Sequence, residues 1–211
     1  MNYLCRPLGL MVLAATLLSL TLPTQAADGG KALYVSCAAC HGAMGEGNPL
    51  MKAPSLAGMD SDYLARQLKN FKSGLRGSDA KDTLGAQMKA MSATLVNDQA
   101  IDEVSTYISG LEVASNSAPA AGDVRKGNNL YQGSCGSCHG GQGQGNPKFQ
   151  APRLANQDAQ YLTRQFNNFK QGLRGTHKED RMGRQMKMMA NMLNSDQDLQ
   201  DVLAYLQAIK P

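Results

Sequence analysis

The sequence predicts an all-α protein made of two tandem copies of one domain. Displaced by 98 residues, the chain superimposes on itself without a slip from Cys37 to Tyr107 and its mate Tyr205, the signature of an internal duplication. Apolar residues recur at helical spacing, and no stretch alternates with the period of two that a strand requires. Between 61–77 and 159–175, eleven of seventeen positions are identical, among them Tyr63/Tyr161, Gln67/Gln165, Phe71/Phe169 and Arg76/Arg174.

Each copy reads as three helices joined by loops. The first runs from about Asp28 towards His41, with Leu33 and Tyr34 as core contacts; its mate uses Leu130 and Tyr131, one position out of step. A glycine- and proline-rich loop follows, over 42–54 and 140–152. The second helix starts near Asp60 or Asp158, sets Tyr63, Gln67 and Phe71 (Tyr161, Gln165 and Phe169) on one face, and ends at Gly74 or Gly172. In the second copy the last helix opens with Ser195-x-x-Asp198, a box-like cap, and continues through Leu199, Val202, Leu203 and Leu206. Its mate begins near Asn97 or Asp98 and carries Ile101, Val104 and Ile108.

The amino terminus reads as a secretory signal over 1–26: Arg6 precedes an apolar run of 15 residues, Leu8 to Leu22, and Thr24-Gln25-Ala26 offers a cleavage site. Such a run is short for a membrane span, so retention as an anchor is the lesser reading. Cys5 lies ahead of the run and leaves with it. The domains then cover 27–113 and 123–211, joined by a small, polar linker over 114–122 that keeps the lobes close together. Export implies a periplasmic location.

Only 5% of residues are aromatic and there is no tryptophan, so two lobes of this size have thin cores of their own. A large buried group in each would fill the deficit, and without it the chain is expected not to fold stably. Charge is uneven: 27–113 carries eight basic and ten acidic residues, net −2, whereas 114–211 carries twelve and seven, net +5. Arg174, Lys178, Arg181, Arg184 and Lys187 crowd one stretch of the second copy, either as a solvated face or as a docking patch for an acidic redox partner. No aromatic residues interleave these charges, so nucleic acid is excluded as a partner.

The chemistry lies in Cys37-Ala-Ala-Cys40-His41 and Cys135-Gly-Ser-Cys138-His139, which use four of the five cysteines. A structural zinc site needs further ligands near each pair, and the one remaining histidine is His177. A thioredoxin-like pair would follow a strand in a βαβ unit, which is missing here. Cys-x-x-Cys-His is instead a covalent haem c attachment site: thiols one helical turn apart each add to a porphyrin vinyl group, and the adjoining imidazole reaches the iron. Two motifs imply two covalently attached haem c groups.

An electron carrier holds both axial positions of its iron, so that charge changes without ligand exchange. Histidine is exhausted, and methionine is the usual soft neutral partner. Of twelve methionines, only Met88/Met186 and Met91/Met189 form matched pairs at the 98-residue offset. Spacing does not choose between these pairs, which stand three residues apart in a loop or loose turn.

The pattern Cys-x-x-Cys-His-Gly, Pro-x-Leu, Tyr-Leu-x-x-Gln, Gly-x-Arg, then Met seven residues before a Leu, resembles the diheme cytochrome c4 family in both copies. The resemblance implies class I cytochrome c domains, with His41 and Met88 on one iron and His139 and Met186 on the other. It further implies that the carbonyls of Pro54 and Pro152 accept a hydrogen bond from those histidines; Arg76 and Arg174 are candidates to pair with haem propionates, the other reading being surface salt bridges. Asn97 stands where the family has a serine cap. His177 has Asp79 as its mate and lies outside the repeated chemistry.

The expected function is a soluble periplasmic carrier of single electrons, not an enzyme. Its donor would be a dehydrogenase or quinol-oxidising complex and its acceptor a terminal oxidase, with possible association with membrane-bound respiratory complexes. The alternatives are a diheme redox enzyme with one open haem and a cytochrome subunit of a larger dehydrogenase.

Overall fold

The computed structural model describes residues 25–113 and 120–209, which are helical, with no β-strand among the described residues. Most of the expected signal, Cys5, and 114–119 of the expected linker lie outside the described residues. The first lobe comprises α1 (Gln25–His41), α2 (Ser61–Ser73), α3 (Thr83–Ser92) and α4 (Asp98–Ser109). The second comprises α5 (Val124–Ser134), the single turn α6 (Gly136–His139), α7 (Ala159–Lys170), α8 (Arg181–Met189) and α9 (Asp196–Ala208), with a 3₁₀ turn at Pro147–Phe149.

Side-chain caps start the helices. Asp60 and Asp158 accept from the amides of Tyr63 and Tyr161 to open α2 and α7, and Asn97 and Ser195 open α4 and α9. Asn97 therefore fills the place of the serine cap. The reading of three helices per lobe is corrected: α3 and α8 form a further helix where a loop or loose turn was expected. They lack a long apolar stripe, but buried Asp82 and Asp180 cap them, accepting from Gly85 N and Gly183 N at 3.0 and 2.9 Å.

The first and last helices of each lobe cross, α1 on α4 and α5 on α9. Glycine makes the crossing possible. A Cβ on Gly30 would lie 2.3 Å from the carbonyl oxygen of Glu103, and one on Gly127 would lie 1.8 Å from that of Asp201. Glu103 and Asp201 are mates at the 98-residue offset, but Gly30 and Gly127 are 97 apart. The second lobe therefore has one extra residue between this glycine and its haem motif, and it is absorbed just before Cys135. Whereas α1 runs unbroken to His41, α5 stops at Ser134, Cys135 leaves helical geometry at φ −121°, and α6 restarts.

The out-of-step tyrosines consequently occupy equivalent places. Tyr34 and Tyr131 are both buried, each donates its hydroxyl at 2.7 Å to the carbonyl of Gly42 or Gly140, and their rings lie 5.5 and 5.3 Å from those of Tyr107 and Tyr205. Around them sit two separate cores. One gathers Tyr34, Met59, Leu64, Leu95, Ile101, Val104 and Ile108; the other gathers Tyr131, Leu193, Leu199, Val202, Leu203 and Leu206. Leu33 packs at the edge of the first core and is only partly buried.

The second crossing has an ion pair of its own. Buried Asp201 accepts from Lys126 Nζ and from the amide of Asp123 at 2.9 Å each, and Lys126 also pairs with Asp198 at 2.9 Å. Hydrogen bonds from Lys126, Asp123 and Gln197 lower the Asp201 carboxyl to about 2. Its unfolded value is about 3.9, so the stabilisation is complete above that pH and is lost as pH falls towards 2. Asp201→Asn is expected to lower the melting temperature of the haem-loaded protein at neutral pH, with the difference from the parent shrinking below the unfolded value and closing as pH falls through about 2. Gly127→Ala is expected to destabilise by about 2 kcal/mol in denaturant titration, because the clash is with backbone that has no free direction to move.

Candidate haem centres

No disulfide joins the motif cysteines, and Cys37, Cys40, Cys135 and Cys138 line one continuous cavity that runs through both lobes. Burial pushes the Cys37 thiol up, and burial with the nearby Cys138 pushes Cys135 up to about 11. The same cavity is lined by His41 and His139 and by both methionine pairs, Met88/Met186 and Met91/Met189. Met91 is 42% exposed, more than Met88 on the same helix.

Each histidine is oriented from behind. His41 Nδ1 lies 2.9 Å from the carbonyl oxygen of Pro54, and His139 Nδ1 lies 2.9 Å from that of Pro152. A carbonyl can only accept, so Nδ1 carries the proton and Nε2 keeps its lone pair for a metal. Burial lowers the pKa of both rings below the ordinary imidazole value, which keeps them neutral. The glycine loop makes this contact possible. A Cβ on Gly47 would lie 2.9 Å from the carbonyl carbon of Pro54, and one on Gly145 would lie 3.1 Å from that of Pro152; both glycines have φ of 87°.

Arg76 and Arg174 are not on the surface. They are buried where the lobes meet and close a ring with two glutamines. Arg76 donates at 2.8 Å to Gln67 of its own lobe and at 2.8 Å to Gln165 of the other; Arg174 donates at 2.8 Å to Gln165 and at 2.8 Å to Gln67. Phe71 and Phe169 lie under the guanidiniums at 4.3 and 4.4 Å from the ring centroids. Burial raises the Tyr161 hydroxyl, but the charges of Arg76, Arg174 and Arg164 outweigh this and hold it below the ordinary phenol value. Burial and the neighbouring Arg76 charge lower the Arg174 guanidinium, whereas Asp82 is close enough to favour the Arg76 charge, and Nε of each arginine and Nδ2 of Asn168 have no partner.

Further contacts join the lobes. Gln157 accepts from Ser55 N at 2.9 Å and donates to Ser55 O at 2.8 Å, behaving as one rung of a backbone ladder. Arg153 donates to Ala57 O, Arg66 to Gln150, and Arg164 to Lys52 O. Sequence reasoning missed Gln157, whose mate is Met59, because nothing repeats there. It also missed the capping aspartates, although Asp82-x-x-Gly85 recurs as Asp180-x-x-Gly183. His177 lies exposed in a loop and accepts from Glu179 N at 3.3 Å, away from the cavity.

The donor set fits haem c in each lobe. Paired thiols, an imidazole held with its lone pair free, thioethers and unpartnered guanidinium nitrogens surround one largely apolar cavity. A helical lobe with these features defines a c-type cytochrome, present twice in this chain.

Both lobes match the cytochrome c family model, over residues 27–112 and 124–210. Among curated proteins, the thiosulfate dehydrogenase electron acceptor of Stutzerimonas stutzeri (strain A1501) is 34% identical over 203 residues, covering 89% of each chain. Cytochrome c4 of Azotobacter vinelandii is 31% identical over 210 residues, covering 95% of this chain and 96% of its own. The crystal structure of reduced recombinant cytochrome c4 from Pseudomonas stutzeri aligns with a TM-score of 0.70 at 28% identity, covering 87% of this chain and 98% of that one. The chain belongs to the cytochrome c family and, within it, to the two-domain cytochrome c4 group, and it is an electron-transfer cytochrome with two covalent haem c groups.

The Gln157 clasp gives a direct test of the interface. Gln157→Ala leaves a buried amide and carbonyl of Ser55 unpaired, and is expected to cost about 1–3 kcal/mol in thermal unfolding of the haem-loaded chain.

Proposed function

We propose that the protein is an exported carrier of single electrons in which Cys37 and Cys40, and Cys135 and Cys138, bond the two porphyrins. His41 and Met88 hold one iron and His139 and Met186 the other. When bound, the haem irons supply one-electron redox chemistry. The observation that carries the reading is that each lobe brings an oriented imidazole and methionine sulfur to the same cavity. Two protein ligands per iron leave no position for substrate, which favours a carrier over an enzyme. The greater exposure of Met91 favours Met88 as the ligand in the first lobe, and the duplication carries the choice to Met186.

The chain's other residues supply orientation and charge. The Pro54 and Pro152 carbonyls fix the histidine rings and raise their basicity. Arg76 and Arg174 offer their free Nε groups and positive charge to haem propionates, whose carboxylates would pair with them. We place the protein in the periplasm, the signal-like start of the sequence supporting this. Its donor is a dehydrogenase or quinol-oxidising complex and its acceptor a terminal oxidase. The similarity to a thiosulfate dehydrogenase electron acceptor supports a dehydrogenase as donor.

A carbon monoxide difference spectrum of the dithionite-reduced, haem-loaded protein tests the carrier reading. No change is expected; a shift at either haem would reveal an accessible iron and overturn it. Met186→Ala is expected to open the second haem alone to carbon monoxide, whereas Met189→Ala is expected to leave it six-coordinate. The reverse pattern would move the ligand by three residues.

A further inference from the structure

We propose that the outer face of α8 is a docking surface for an acidic redox protein, so that electrons enter or leave through the second lobe. The inference rests on the carrier reading and adds the partner's chemistry and the place where it binds. A groove on this face is lined by Thr176, Arg181, Arg184, Lys187, Met188 and Asn191. Arg181 and Arg184 are exposed, and neither they nor Lys187 forms an ion pair with another described residue. Lys178 extends the charge beyond the groove. Along 174–192 the acids are Glu179, which is exposed, and Asp180, which is buried as the cap of α8.

Met188 is 67% exposed and Met192 is 56% exposed, which places apolar surface beside the charges. A cationic rim with an adaptable thioether surface suits a carboxylate-bearing protein, where charge steers encounter and a small apolar contact seats it. The same short helix carries Met186 and Met189, which line the haem cavity, so a partner on the outer face stands one helix away from that cavity.

The duplication supplies an internal comparison. At the 98-residue offset, Thr176, Arg181, Arg184, Met188 and Asn191 correspond to Ser78, Thr83, Ala86, Ala90 and Ala93, and only Lys187 finds a basic mate, Lys89. Both lobes retain the buried ring, the histidine anchors and the caps, yet on α3 the places of Arg181, Arg184 and Met188 are taken by Thr83, Ala86 and Ala90, and Lys89 is the one cation the two faces share. Among the cavity-lining residues of these helices, Gly85/Gly183, Gln87/Gln185, Met88/Met186 and Met91/Met189 stay identical, while the lobes separate electrostatically, at net −2 and +5 over 27–113 and 114–211.

The test uses the full, haem-loaded chain and reduced flavodoxin, a small acidic redox protein, as electron donor in stopped flow. One electron passes from the reduced flavin to a ferric haem. The Arg181→Glu/Arg184→Glu variant is expected to slow this reaction about tenfold or more at low ionic strength, the difference closing at high salt. Lys81→Glu/Lys89→Glu, which makes the same net charge change on the first lobe, is expected to slow it no more than about twofold. An equal loss in both variants, or a rate indifferent to salt, would overturn the proposal. Sedimentation with phosphatidylglycerol vesicles distinguishes a lipid-reading face. If the parent sediments, the α8 variant does not, and their flavodoxin rates are equal, the protein-docking proposal falls. Reduction by uncharged hydroquinone checks that the haems of each variant are intact. The carbon monoxide spectrum fails or succeeds independently, so loss of the carrier reading and loss of the docking surface are told apart.

Discussion

The helices of this protein close around a cavity rather than fully on one another. Each lobe has one strong helix crossing, at Gly30 or Gly127, and a modest cluster of apolar side chains beside it. The remaining helices face the space where cysteines, histidine and methionines converge. Apolar burial drives folding in proportion to area, and a lobe with few aromatic residues has little area to bury by itself. The porphyrin is therefore part of the core, and the positions of α2 and α3, or α7 and α8, follow from having to cover it.

A second constraint acts where the lobes meet. Two guanidiniums are taken out of water and share the oxygens of Gln67 and Gln165, each bridging its own lobe to the other. Neutral acceptors satisfy their hydrogen-bonding geometry, and of the nearby carboxylates Asp82 favours the Arg76 charge. The Gln157 clasp and the Arg153 contact then fix how the lobes are seated using backbone groups, which side-chain divergence cannot remove.

Duplication has preserved the inside and released the outside. The crossing glycines, buried tyrosines, proline carbonyls and capping aspartates recur in both lobes, even where a one-residue difference before Cys135 breaks the first helix of the second lobe. Outer positions are free of that geometry. There α8 carries Arg181, Arg184 and Met188 where α3 carries Thr83, Ala86 and Ala90.

The sequence by itself determined what depends on local chemistry and on repetition. The spacing of Cys37, Cys40 and His41 specified the cofactor because two thiols and an imidazole within one helical turn leave little other use. The 98-residue offset specified two lobes, and aspartate, asparagine and serine marked the helix starts. Tertiary structure decided what depends on distant groups. The segments bearing Met88 and Met186 look weak as helices, because their stability comes from a buried cap and from packing on a neighbouring helix. Arg76 and Arg174 read as possible surface cations until the second lobe enclosed them, since burial and partner choice are properties of the assembled pair. The equivalence of Tyr34 and Tyr131 was likewise hidden, because a break in a helix can absorb a residue that a sequence offset cannot.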